Sequence, residues 1–492
     1  MVNDVFLYYF YDGITIKMMI NRYLKILGVS AGVLVLASCS TVDKTTEKDL
    51  TKVKFATNGY PSMFKPVRVD LAESKLKSAI SKNNSIDNIK QLKNLNNLES
   101  GRLLQLNDKF KDSINAYDNV IKTIPTSKKE SIKQAKATLF DKSTYNYYDI
   151  KSSYNIPDFS MAFLYTYQAL NYLKTNNAKQ ALDTLKNLGN AKLWRNQQDI
   201  IAEGMKHLGK KDLDHNEIKV DELNMNNFKA LNEMLKFSDR IPNAYGNPLT
   251  SYLKAMLLSS VSKDYSDALT SLNVSQEYTV GNKYLDQTVT EFSSALRSGN
   301  SPFSMGMGRV VVFYEQGLVN VRKSAEAKLD LGNIGDKKID MPIYNTNYNF
   351  YEPKRVVIST GNKNIVNTYT ETLIDTTLFA MKSLIDDYPR IIMQNVVIEA
   401  YKNDYDQKFA LGGILGSHLK FNLSKSEPKR ADLRSWLLLP SSVDLFEQQL
   451  DSGDYTMQIS DIRQNIEVQQ GRTTLLWVVD IGNFKKVYYF IL

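Results

Sequence analysis

Residues Gly101–Pro125 read GRLLQLNDKFKDSINAYDNVIKTIP. Apolar side chains recur at intervals of three and four on both sides of the short polar turn Asn107-Asp108-Lys109, the period of two amphipathic helices. The second helix sets a small residue, Ser113, four positions before a large one, Tyr117, and the stretch closes on Pro125. Working outward, the same plan recurs in ALNYLKTNNAKQALDTLKNL, with Ala178, Ala181, Leu185 and Leu188, and in YLKAMLLSSVSKDYSDALTSL, with Tyr265, Ala268 and Leu272. Small residues at Ser113, Ala181 and Ala268 let two helices approach closely, while Tyr117, Leu185 and Leu272 fill the groove beside the next one.

These pairs resemble tetratricopeptide repeats. They are not in tandem, because Phe110, Ala178 and Tyr265 stand 68 and 87 residues apart. A regular array spaces its units by about 34. The first interval leaves room for a degenerate pair and the second fits no multiple, so ordinary helical hairpins are the alternative. Both readings give stacked helices over residues 66–298.

After Gly299-Asn300-Ser301-Pro302 the pattern changes. Arg309–Tyr314, Pro342–Tyr344, Lys354–Ser359, Gly453–Ile459, Thr473–Ile481 and Lys486–Leu492 read as strands, and Asn465–Gln470 is expected to form a hairpin with Thr473 onward through Gly471-Arg472. Thr370–Tyr388 and Ile391–Phe409 read as helices. The expected fold is therefore mainly α: tetratricopeptide-like helical hairpins followed by a smaller α+β region over residues 299–492.

Three stretches carry a second resemblance. They are Asn247–Leu253 (NPLTSYL), Val312–Val319 (VFYEQGLV) and Ala431–Pro440 (ADLRSWLLLP) with Gly453-Asp454-Tyr455-Thr456 after it. Together they resemble a family of uncharacterised proteobacterial lipoproteins with tetratricopeptide-like repeats. The resemblance covers most of the chain beyond the leader and implies an envelope location, but no activity.

The amino-terminal sequence agrees with that location. Arg22 and Lys25 precede ILGVSAGVLVLA, residues 26–37. This apolar run fits the core of a secretory signal and falls short of the roughly 20 residues of a membrane span. It ends in Leu36-Ala37-Ser38-Cys39, which resembles a bacterial lipobox with Cys39 as the acylated residue. Cys39 is the only cysteine in 492 residues, so the chain has no internal disulfide, and lipidation accounts for the odd thiol. Met1–Lys17 carry Asp4 and Asp12 ahead of the signal, and Met18 or Met19 is the expected true start. Residues 1–38 are then a signal peptide and 39–65 a polar, lipidated tether. Ser40 rather than aspartate after the cysteine leans toward the outer membrane, with the body in the periplasm.

Lys and Arg number 62 against 53 Asp and Glu, a net charge of +9, but no block of one sign occurs. That is a solvated surface rather than a nucleic-acid footprint. His207, His215 and His418 have no metal-ligand spacing, GGILGS (412–417) lacks the lysine of a phosphate loop, and Asp386-Asp387 diverge by about 100° on a helix. No metal, cofactor or catalytic residue is expected. Asp432, Arg434 and Trp436 alternate, which places them on one face of an extended segment. They read either as a partner-binding patch with Trp436 stacking on a ligand, or as a turn locked by an Asp–Arg pair with Trp436 buried. The functional expectation is a lipid-anchored envelope scaffold that binds a protein or peptide partner through its repeat surface. A cell-wall-modifying enzyme and a surface-exposed lipoprotein acting on a host or environment are the alternatives.

Overall fold

The structure, a computed structural model, describes residues 59–86, 92–127, 154–192, 228–330, 336–347, 350–388 and 431–492, with a few single positions between them. Leu36, Ala37, Ser38 and Cys39, the tether to residue 58, His207, His215, the expected helix over 392–409, and GGILGS with His418 lie outside the described residues.

Helices come first: α1 (Tyr60–Ala72), α2 (Leu76–Ile86), α3 (Lys93–Leu106), α4 (Phe110–Ile121), α5 (Asp158–Lys174), α6 (Ala178–Lys192), α7 (Lys229–Ser238), α8 (Pro248–Leu257), α9 (Tyr265–Tyr278) and α10 (Lys283–Ser298). Four hairpins, α1–α2, α3–α4, α5–α6 and α8–α9, turn in the same way. Ser74, Asp108, Asn176 and Lys263 each take a left-handed conformation just past the first helix. In the first three, the next amide donates back to the carbonyl five residues earlier: Lys75 to Asp70 at 2.7 Å, Lys109 to Leu104 at 2.8 Å, Asn177 to Tyr172 at 2.9 Å. This is the Schellman closure of a helix. In the fourth, α8 runs into a π turn at Leu258–Ser262 and the closing bond, Asp264 to Leu258, spans one residue more. Side-chain caps start the later helices: Asn247 accepts from the Thr250 amide with Pro248 at the first helical position, Asp264 from Asp267, and Asn282 from Leu285.

The strands are β1 (Met307–Gln316), β2 (Lys323–Asp330), β3 (Asp336–Ile343), β4 (Arg355–Thr360), β5 (Lys363–Tyr369), β6 (Glu371–Asp375), β7 (Ser442–Asp451), β8 (Gly453–Ile459), β9 (Ile462–Val468), β10 (Thr473–Ile481) and β11 (Phe484–Ile491). They form a five-stranded sheet ordered β11-β10-β1-β7-β6, a four-stranded sheet ordered β5-β4-β8-β9, and the ribbon β2–β3. The mainly α expectation is therefore wrong: with three sheets among the described residues the fold is α+β. The physical reason lies in β1. It is parallel to β10, antiparallel to β7, and buried along nearly its whole length. The helices use it, with its neighbours, as the surface on which their inner faces are buried.

Alternation sorts β1. Arg309, Phe313 and Glu315 meet the helices: the Tyr252 ring of α8 packs edge-on to Phe313 at 5.8 Å, and the Tyr167 ring of α5 stacks on Trp477 of β10 at 5.8 Å. The opposite face, with Gly308, Val310 and Val312, meets the four-stranded sheet. There Thr474 donates to the Glu467 carbonyl at 2.6 Å, and the backbone of Gln469 lies where any side chain on Gly308 would stand. One core runs from Tyr60 in α1 to Phe490 in β11.

Two local expectations also change. Asn465–Gln470 does not make a hairpin with Thr473–Ile481, because β9 pairs with β8 and β10 pairs with β1 and β11. β10 is apolar on both faces and belongs in the middle of a sheet, whereas β9 alternates exposed and buried residues, as a strand with one wet face does. Thr370–Tyr388 is not one helix: Glu371–Asp375 is strand, and the helix covers 376–388, where Asp375 accepts from the Thr377 and Leu378 amides.

The α3–α4 approach gives a test with a definite sign. A Cβ on Gly101 would sit 2.4 Å from the Tyr117 ring. Helix propensity alone favours Gly101→Ala by up to about 1 kcal/mol, but overpacking costs about 1–3 kcal/mol. Chemical denaturation is expected to show net destabilisation, and a gain in stability would mean that the α3–α4 hairpin opens to admit the methyl group.

Candidate functional site

The residues with unusual chemistry gather along β1 and at its carboxyl end. Arg102 of α3 forms an ion pair with Glu315 of β1, and both side chains are sealed from solvent. Arg102 also donates to Gln105 at 2.8 Å and lies over the Tyr167 ring at 4.2 Å, while Trp477 donates its indole N–H to Glu315 at 2.9 Å. Burial works most strongly against the Arg102 charge, but Glu315 together with Tyr167, Tyr117 and Tyr488 raises the guanidinium above its ordinary value. At the other end of β1, Arg309 binds Glu447 and Glu291, both at 2.7 Å, and the Pro302 carbonyl at 3.1 Å. Burial pushes Glu447 up to about 7 against the pull of Arg309.

A third buried carboxylate joins the helices to the 431–440 segment. Glu99 of α3 accepts from the Leu437 amide at 2.6 Å and the Leu438 amide at 3.1 Å, with the Tyr60 hydroxyl at 3.4 Å. Burial raises Glu99 to about 8, opposed by those two amides and by Arg68. Arg68 of α1 donates to the Val319 carbonyl at 2.9 Å, the Val319 amide donates to Leu439, and the Ser441 amide donates to Gln316. The stretches 312–319 and 431–440 thus zip together where β1 ends, and Asn247–Leu253 reaches the same strand through Tyr252 on Phe313.

Of the residues singled out in the sequence, Asp432 and Arg434 meet. Arg434 donates to Asp432 through Nε at 2.9 Å and Nη2 at 2.8 Å, and its own amide does so at 3.0 Å. Burial pushes Asp432 up, but Arg434 prevails and holds its carboxyl below the usual range. Trp436 is placed elsewhere: it is wholly buried, edge-on to Tyr117 at 5.9 Å and Tyr167 at 5.8 Å. Cys39 and the lipobox residues are outside the described residues.

Glu99, Arg102, Arg309, Glu315 and Glu447 were not singled out in the sequence. Their signal was phase: Glu99 and Arg102 fall on the stripe of Leu95, Leu98, Leu103 and Leu106, and Glu315 ends a β-branched and aromatic run. A charged residue in core phase calls for a buried partner.

Glu99, Glu315, Glu447 and Asp444, all raised by burial, are each at most 1% exposed, so no solvent-borne substrate reaches these four in this conformation. Among the described residues no group of three or more His, Cys, Asp or Glu is arranged to hold a metal ion. Comparisons with family models, curated proteins and solved structures returned no match.

Two measurements follow. Arg102→Met leaves Glu315 buried and unpaired, a loss of about 3–5 kcal/mol, and Arg102→Met with Glu315→Leu is expected to recover most of it; denaturant midpoints of the two variants check this, and equal losses would remove the pair's central role. Glu99 carries a pKa of about 8 in the fold against an ordinary 4.5. The folded state holds a proton that the unfolded chain has lost, so the stability from this group is complete below about 4.5 and falls as pH rises through about 8. Melting temperatures across that window should decline less steeply in Glu99→Gln than in the parent, and parallel curves would assign the slope to other groups.

Proposed function

We propose that this chain is a lipid-anchored scaffold of the bacterial envelope, held by acyl groups on Cys39 and binding a protein or peptide partner without turnover. The observation that supports it most is the single cysteine of the chain, placed directly after the apolar run of 26–37 in Leu36-Ala37-Ser38-Cys39. Several acyl chains on one residue give stable anchoring where a single chain would not. The polar tether after Cys39 lets the body sample partners near the membrane and raises their effective concentration. The resemblance of NPLTSYL, VFYEQGLV and ADLRSWLLLP to repeat-containing lipoproteins points the same way.

The scaffold reading drawn from sequence gives the partner the repeat surface as a whole, which includes the first helices of the hairpins. In the folded chain Arg102, Tyr167 and Tyr252 on those helices are spent on the chain's own sheet. The outer polar faces of α4, α6 and α9 remain for a partner.

The test compares wild type with Cys39→Ala in cells fed a labelled fatty acid and then cross-linked. Wild type is expected to take up label, to sediment with membranes and to capture a defined protein; Cys39→Ala is expected to lose all three. Label-free wild-type protein, or capture unaffected by loss of the anchor, would overturn the reading.

A further inference from the structure

A β-sheet edge left unpaired is a template for another strand, and three of the four edges of the two larger sheets carry contacts that blunt them. Along β6, Thr279 donates to the Leu373 carbonyl at 2.6 Å and Asn282 to the Glu371 and Thr372 carbonyls. Along β9, Tyr489 and Thr474 occupy the main-chain groups of Glu467. β5 begins with Lys363, shifts register opposite Ile358 and Ser359, and has the Tyr284 hydroxyl on its last carbonyl.

β11 also carries lysines, Lys485 and Lys486, and Arg472 holds its Ile491 carbonyl at 3.0 Å, but among the described residues no side chain reaches the main chain of its centre. It pairs with β10 in unbroken register from Phe484 to Ile491. The mutual bonds of Thr473 and Leu492 set the phase. Residues in step with Leu492 bond inward, so Lys485, Val487 and Tyr489 aim their N–H and C=O groups away from β10. No hydrogen bond among the described residues reaches those main-chain groups.

We propose that this edge pairs with the same edge of a second copy of the chain, antiparallel about a two-fold axis at Val487, joining two five-stranded sheets into one. The side chains favour this occupant and this register. With the axis at Val487, Lys485 lies opposite the partner's Tyr489, Lys486 opposite the partner's Tyr488, and Phe484 opposite the partner's Phe490. No lysine faces a lysine. Moving the axis to Lys486 sets two lysines directly against each other, which destabilises a cross-strand pair. Lysine on tyrosine is a contact the chain already makes, with Lys486 Nζ 5.4 Å from the centre of its own Tyr488 ring. An isologous pairing of this kind closes at two copies. The inference is independent of the anchor, since it concerns the folded body alone.

The test uses the full chain with Cys39→Ser, which has no thiol, and reads its mass by light scattering at micromolar concentration. The expected mass is that of two chains. Adding Val487→Cys sets two thiols face to face across a hydrogen-bonded pair, where the Cα atoms are about 5.5 Å apart, a separation that a disulfide spans. Mild oxidation is therefore expected to give a single covalent dimer. Val487→Pro removes only an outward N–H, and Val487→Lys puts like charges on the axis. Each is expected to give a one-chain mass while keeping the parent's secondary structure and buried-tryptophan fluorescence. A one-chain mass for the Cys39→Ser parent overturns the proposal and leaves the edge to a strand of a different protein. A two-chain mass without the Val487→Cys cross-link overturns it too, by placing the interface elsewhere.

Discussion

Arg102 carries a full positive charge into a region that solvent does not reach, and the placement of the helices relative to the sheet follows from how that charge is met. An unpaired guanidinium there would cost many kcal/mol in lost hydration. Glu315 neutralises it, Gln105 accepts a further hydrogen bond from it, Trp477 donates to Glu315, and the Tyr167 ring covers the guanidinium face. Each of these groups comes from a different element: α3, β1, β10 and α5. A buried pair of this kind adds little net stability compared with apolar residues of the same shape. What it adds is a condition, because α3 can slide or rotate on β1 only by stranding a charge. Arg309 with Glu447 and Glu291 sets the same condition for α10 at the other end of the strand.

That condition makes β1 the common reference of the molecule. Helical hairpins that in a free-standing solenoid would present their first helices to a ligand are here closed against a sheet built from the last two fifths of the chain. Glu99 extends the arrangement sideways, since it holds two consecutive amides, those of Leu437 and Leu438, in a segment that is neither helix nor strand. A buried irregular segment needs such acceptors, because its own amides lack ladder partners. The stretches 247–253, 312–319 and 431–440 thus meet along one strand, joined by Tyr252 on Phe313 and by the Val319–Leu439 and Ser441–Gln316 main-chain bonds.

Much of this was legible in the residues themselves. The three-and-four spacing around Asn107-Asp108, Asn176-Asn177 and Lys263-Asp264 marked helices and their turns, because each hairpin needs a left-handed residue after its first helix and an apolar stripe on both. β10, apolar along its length, read as strand. Neighbouring residues carry that information. The Asp432–Arg434 contact was legible for the same reason, since two residues apart is within reach of one side chain. The fate of Trp436 was not, because a tryptophan in an extended segment has the same local signal whether it meets a ligand or, as here, Tyr117 and Tyr167.

The sequence by itself determined the positions of the helices, most of the strands, the lone cysteine after its apolar run, and the places where charges fall in core phase. Only the tertiary structure decided that β10 lies beside β1 rather than β9, that Arg102 meets Glu315 across 213 residues, and that the inner helix faces are covered by the chain's own sheet. The reason is physical. Periodicity reports which side of an element must leave water, but many partners satisfy that demand equally well. The choice among them rests on shape and charge complementarity between segments far apart in the chain.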